Sequence, residues 1–201
     1  MTAGKRARTR SSVVLGDPQS VRHDPSAKSL AYFCLSEPIR FDQPLLAELK
    51  DLAAQRGDVN VRLCLHDRPE AAFHEMIILE HAGKYYRPHK HLAKGESYHI
   101  IEGSMAVFVF NDQGVVDDAV RLSPFDTLVY RIGSKMYHAV MPLSKTVIYH
   151  ESKPGPFVRE SDCEYPAWAP DGQDPTAVAV YTGILREALD RHAGPRSVQS
   201  V

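Results

Sequence analysis

From Val59 onward the chain is cut into short apolar or alternating runs separated by turn residues, and this pattern leaves few architectures open. Runs near 61–66, 73–79, 84–91, 96–102, 105–111, 119–122, 127–131, 136–141 and 145–152 have strand length, β-branched and aromatic content, and period-two patterning. Turns fall at Asp67-Arg68-Pro69, His81-Ala82-Gly83, Glu102-Gly103-Ser104 and Asn111-Asp112-Gln113-Gly114, the last a hairpin signal. So many short strands in close succession predict a mainly β fold, a single jelly-roll barrel. Helices flank it on both sides. Asp42 offers an N-cap, Pro44 suits a first turn, and Leu45, Leu46, Leu49, Leu52 and Ala53 form one apolar stripe before Gly57. Asp174-Pro175 opens a second helix with Val178, Tyr181, Leu185 and Leu189 on one side, ending at Gly194-Pro195.

A length of 201 residues suits one packed domain with extensions. The expected division is a disordered basic arm over 1–28, an N-terminal flank with a helix over 29–58, the barrel over 59–157, and a C-terminal strap and helix over 158–201. The first segment is polar, punctuated by Pro18 and Pro25, and its opening twelve residues carry Lys5, Arg6, Arg8 and Arg10 without an acid. A net charge of −1 provides no overall field for nucleic acid. No apolar run approaches the roughly 18 residues of a membrane span, so neither nucleic acid nor membrane is an expected partner. Cys34, Cys64 and Cys163 are widely spaced and odd in number, which argues against a disulfide framework and for a cytoplasmic protein. Cys64, between Leu63 and Leu65, reads as a packed thiol.

Chemistry concentrates between the third and fourth runs. Gly83, His89, His91, Glu96 and Gly103 stand at fixed offsets in which two imidazoles two positions apart share one face of an extended segment, and a carboxylate follows past a short turn. A further ligand is expected from a distant strand, and His138, in the apolar run Met136-Tyr137-His138-Ala139-Val140-Met141, fits that place. Three neutral imidazoles and a carboxylate suit one divalent ion, Fe(II), Mn(II), Zn(II), Ni(II) or Co(II), and lack the thiolates of a structural zinc site.

Strand parity extends the site. Tyr85 and Arg87 share parity with the histidines, and Tyr98 and Ile100 with Glu96. Arg87 could grip a carboxylate or phosphate, and Tyr98 could donate a proton or hydrogen bond, a catalytic role. Tyr149 and Glu151 share a face of the closing strand and could contact substrate, with Lys153 joining them only if that strand persists to Pro154. Lys90 points away. His66, His74, His81, His99 and His150 read as bystanders. His74-Glu75-Met76-Ile77-Ile78 lacks the second histidine of a zinc-protease helix. No phosphate loop, dinucleotide fingerprint or nucleophile elbow is present.

The spacing of Gly83, His89, His91, Glu96 and Gly103 resembles the first motif of the cupin superfamily at every defining position. The second motif is matched at Gly133 and departs at Phe125, Arg131 and Pro142, with His138 two residues late. A narrower resemblance, over roughly 60–172, is to the WbuC family of cupin-fold metalloproteins found with bacterial surface-polysaccharide genes. It rests on Arg87-Pro88-His89-Lys90-His91, the 110–114 hairpin, Glu151-Ser152-Lys153-Pro154-Gly155-Pro156-Phe157 and Ala167-Trp168-Ala169-Pro170. That resemblance implies a bound divalent metal and a cytoplasmic role near sugar metabolism.

The leading expectation is therefore a metalloenzyme acting on a small oxygen-rich substrate, a sugar or sugar nucleotide, by isomerase or epimerase chemistry. The same ligands allow Fe(II)-dependent dioxygenation, and a non-catalytic ligand-binding or regulatory module is a third possibility. Cupin barrels often pair, and open jelly-roll edges favour it, so a homodimer is expected.

Overall fold

The computed structural model describes residues 13–193. Ten strands form two sheets, with one helix against each. In chain order the elements are β1 (Val21–His23), β2 (Leu30–Cys34), α1 (Gln43–Gln55), β3 (Val61–Cys64), β4 (Phe73–His81), β5 (Glu96–Glu102), β6 (Met105–Phe110), β7 (Val116–Leu122), β8 (Val129–Ile132), β9 (Tyr137–Pro142), β10 (Thr146–Pro154) and α2 (Pro175–Ala193). The larger sheet runs β1-β2-β3-β4-β10-β5-β8 and the smaller β7-β6-β9. Facing one another, they make the jelly-roll barrel that the strand pattern predicts.

Each helix covers one sheet's outer face. Asp42 caps α1, its side chain accepting from the Leu45 amide at 3.2 Å, and Gly57, at φ 84°, follows its end in the left-handed region. The helix buries Leu45, Leu46, Leu49 and Ala53 against Leu63, Ile77, Leu79 and Ile148 of the larger sheet. Leu185 and Leu189 of α2 pack on Phe108, Phe110, Ala139 and Met141 of the smaller one. With α2 outside and the barrel inside, every residue of β6 is buried. The inward residues of both sheets, Met76, Ile78, Tyr98, Ile100, Met105, Val107, Val109 and Tyr149 among them, form a third cluster.

Two expectations change. Residues 13–28 are not an unstructured arm: Val13, Leu15 and Val21 are buried with α1, and β1 pairs antiparallel with β2. Three scattered apolar residues give no readable period, and an edge strand held by backbone hydrogen bonds leaves little side-chain signature. The basic stretch 1–12 lies outside the described residues. The run 84–91 is not a strand either. Its β-bridges are isolated ones, His89↔His138 and Lys90↔Glu164. Pro88 removes one amide from any ladder there.

The proline-rich segment after Glu151 straps over the barrel. Trp168 packs on Phe110 and Tyr137, and lies so close to Gly114, φ 84°, that a Cβ there would meet its ring at 2.6 Å. All three cysteines are free. Among the described residues, no helix is long and apolar enough to cross a membrane.

Candidate metal centre

His89 and His138 lie directly opposite each other. Each donates its amide to the other's carbonyl, at 3.0 and 2.8 Å, so their side chains leave the same face. His91 follows two residues later, and Glu96 begins β5 across the turn. One donor atom from each of these four residues falls within 4.8 Å of all the others. Glu96 is 1% exposed, His138 1% and His91 2%, so the cluster is sealed from bulk water on three of its members.

Hydrogen bonding fixes what these rings can do. Each imidazole places Nδ1 against a backbone carbonyl: His89 against Arg87 at 3.3 Å, His91 against Asp162 at 2.5 Å, and His138 against Met136 at 2.9 Å. A carbonyl only accepts, so Nδ1 carries the proton and Nε2 of a neutral ring is a bare lone pair. Nε2 of His138 lies 2.6 Å from one Glu96 oxygen and Nε2 of His91 lies 3.2 Å from the other. Neither makes a hydrogen bond of acceptable geometry. Two lone pairs facing a buried carboxylate repel, unless a proton or a cation sits among them. Backbone acceptors behind each ring are the usual support of a metal-binding histidine. The donor set and these orphaned nitrogens fit a divalent cation.

Titration behaviour follows from burial and from Glu96. Burial pushes the Glu96 carboxyl up, but the adjoining His138 and His91 rings and the Lys153 charge outweigh it and hold the group well below the usual carboxylate range. For His91, burial disfavours charge while the Glu96 contact prevails and raises the ring above its ordinary value. Burial, with His138 beside it, lowers His89 to about 4. A proton on His91 must leave before a cation can be bound there, so cation affinity falls as the medium becomes acidic.

Around the cluster, Tyr98 donates a very short hydrogen bond to Glu96 Oε1. Burial and then Glu96 drive the Tyr98 phenol well above its ordinary range, so it stays protonated. β10 persists to Pro154, which carries the parity of Tyr149 and Glu151 on to Lys153. The Lys153 ammonium lies 2.8 Å from Glu151 and 3.5 Å from Glu96. Burial opposes its charge, but Glu151 and Glu96 outweigh that and raise it. Asp162, in the strap, supplies the carbonyl for His91, and its carboxylate is paired with Lys94. Asp162 and Lys94 carry no signal in the sequence, since one sits in a strap without periodicity and the other in a turn.

A cavity of about 1010 Å³ opens onto this cluster. His89, Glu96, Tyr98, Tyr149, Glu151 and Lys153 line it, and Glu80, Tyr86 and Arg62 extend the lining away from the histidines. Arg87 is not in it. Its guanidinium donates to the Pro166 carbonyl at 2.8 Å and lies over the Tyr165 ring at 5.2 Å, pinning the strap instead. Lys90 likewise points out, over the Tyr137 ring at 4.3 Å.

Residues 41–122 match a family described as a domain of unknown function, DUF6016, which is less than half of the chain. No curated protein matches. Among solved structures, the chain is similar to L-ribose isomerase of Cellulomonas parahominis with L-psicose, at 19% identity and TM-score 0.44, over 55% of this chain and 70% of that one. It is similar to the capsular polysaccharide assembling protein CapF from Staphylococcus aureus at 13% identity and TM-score 0.44, over 54% of this chain and only 30% of CapF. The cupin domain of Schizosaccharomyces pombe Cnp3 aligns at 18% identity and TM-score 0.38, over 47% of this chain and 60% of that one. At TM-scores this low the likenesses carry no argument about function.

Proposed function

We propose that this chain is a metal-dependent cupin-type enzyme that isomerises or epimerises a small, oxygen-rich substrate of the sugar class. The observation that carries the reading is the pair of orphaned Nε2 atoms on His91 and His138, facing the Glu96 carboxylate beside a roomy cavity. His89, His91, Glu96 and His138 would hold the ion, and a divalent cation there supplies Lewis acidity toward a carbonyl or hydroxyl oxygen of the substrate. The sugar class draws its support from the resemblance to the WbuC family in the 87–91, 110–114, 151–157 and 167–170 segments.

The chain's own groups provide the proton transfers. Glu151 faces the cavity beside Glu96, with the Lys153 ammonium 2.8 Å away, and is placed to act as a base. In a 1,2-isomerisation it removes the proton from the hydroxyl-bearing carbon next to the substrate carbonyl and returns it to the former carbonyl carbon, while the hydroxyl proton passes to the former carbonyl oxygen and the first carbon becomes the new carbonyl. Tyr98, held protonated, donates a hydrogen bond and does not serve as the base. The apolar residues facing this wall, Val107 and Val109 among them, keep water from competing for the transferred proton.

The test is an anaerobic incubation of Zn(II)- or Mn(II)-loaded protein with a panel of aldoses and ketoses in deuterated water, followed by proton NMR. Deuterium entry at the carbon next to the carbonyl, lost in Glu151→Gln while metal binding persists, is the expected result. Consumption of substrate only in the presence of dioxygen would overturn the reading in favour of an oxygenase.

A further inference from the structure

We infer that the wall of the cavity around Arg62 binds a phosphate group, so that the substrate taken here is a phosphorylated sugar. The inference rests on the reading of this cavity as a substrate site and names the class of that substrate. Arg62 stands on β3 between Val61 and Leu63, which pack under α1, so by alternation its side chain leaves the inner face of the sheet. There it lines the cavity, and its Nε is buried without a hydrogen-bond partner. A buried donor left unsatisfied is costly, and an occupant that accepts from it removes that cost.

Among the described residues its ion-pair neighbour is Asp24 alone, and that contact is loose. The Asp24 carboxylate lies 3.9 Å from the guanidinium, beyond hydrogen-bond reach, and one of its oxygens already accepts from the amide and hydroxyl of Ser26 at 3.0 and 2.7 Å. Position suits a substrate that spans the cavity. Arg62 pairs with Ile78 on β4, and Glu151 lies on β10, the next strand but one from β3, about 10 Å away at the usual strand spacing. The group that removes the proton and the group that grips the anion thus stand a short sugar chain apart.

Charge decides what this wall accepts. Lys28, Arg56 and Lys84 line the same cavity, and among the described residues no carboxylate comes within ion-pair distance of any of them. With Arg62 they oppose Asp24, Asp58 and Glu80, and burial raises the Glu80 carboxyl to about 7, so that it carries only part of a charge near neutrality. Lys153, by contrast, is engaged by Glu151 and Glu96. A lone guanidinium would suit a carboxylate, whereas a planar fork with further unpaired cations beside it suits the greater charge and additional acceptor oxygen of a phosphate. Arg87, to which strand parity gave this role, is spent on the strap.

The test compares ribose with ribose 5-phosphate, binding to Co(II)-loaded protein being measured by titration calorimetry at low ionic strength, where exposed charges are least screened. The phosphate should strengthen binding by roughly tenfold or more, and Arg62→Gln should remove most of that gain while leaving ribose within about threefold of its parent affinity. Asp24→Asn, which takes away the competing carboxylate, should tighten ribose 5-phosphate by roughly threefold or more, a gain that misfolding cannot imitate. Equal binding of both probes to the wild type, no binding of either, a phosphate advantage that survives Arg62→Gln, or no gain in Asp24→Asn would overturn the inference. The visible spectrum of bound Co(II), recorded on the same samples, reports the metal centre separately. Its absence would overturn the metal reading and this inference with it, whereas its presence without an Arg62-dependent phosphate advantage would overturn this inference alone.

Discussion

Across the barrel interior, the wall built by β4, β5 and β10 presents Glu80, Glu96, Tyr98, Tyr149, Glu151 and Lys153, whereas the facing wall of β6, β7 and β9 presents Met105, Val107, Val109, Leu122 and Val140, with His138 at one end. The contrast explains how the ionisable wall comes to be tuned. Desolvation is the largest influence on Glu80, Glu96, Tyr98, Tyr149 and Lys153, and the apolar wall is one source of it. Neither wall would make a site alone: the polar one would be ordinary wet surface, and the apolar one has nothing to react.

Substitutions on the two walls should therefore fail in different ways. The largest effect is expected for Glu96→Ala, which removes the carboxylate and should weaken Co(II) or Zn(II) binding by more than about 100-fold in calorimetry. Met105→Ala, on the facing wall, should cost about 3 kcal/mol in urea unfolding through the cavity it leaves, with metal affinity within about threefold of the parent. A large loss of affinity in that variant would break the division of labour between the walls. Asp162→Asn keeps the carbonyl behind His91 but removes the Lys94 ion pair that holds the strap, and should reduce metal affinity by about tenfold. Arg87→Lys, outside the cavity, should leave metal affinity unchanged and lower stability by no more than about 1 kcal/mol through the lost stacking on Tyr165.

A pH series sharpens the same contrast. His66 is 8% exposed and, through burial with His74 stacked on it at 4.1 Å, is lowered from 6.5 to about 4. The unfolded chain then binds more protons than the folded one between those values, so stability is fully present above pH 6.5 and is lost as pH falls toward 4. The urea midpoint should drop over that window, and less steeply in His66→Gln.

How much of this was legible in the chain depends on distance along it. His89, His91 and Glu96 could be read because their spacing is local and the alternation of an extended backbone fixes which side chains meet. The helix over Gln43–Gln55 was equally plain, since its cap and apolar stripe are both local. His138, forty-nine positions from His89, was readable only as a polar residue in an apolar run. Lys153 hung on where β10 stops. Asp162 was not legible, because it acts on His91 across 71 positions through a strap without periodicity. Parity misplaced Arg87, because the 84–91 segment is tied by single bridges and does not keep the alternation of a continuous strand.

The central claim is that His89, His91, Glu96 and His138 clasp one divalent cation, and X-ray absorption at the cobalt edge on stoichiometrically loaded protein tests it most directly. The account predicts a single cobalt with nitrogen and oxygen neighbours only, about three of them imidazole, and loss of that environment in His138→Ala. Sulfur in the first coordination sphere, or an unchanged spectrum in that variant, would contradict it.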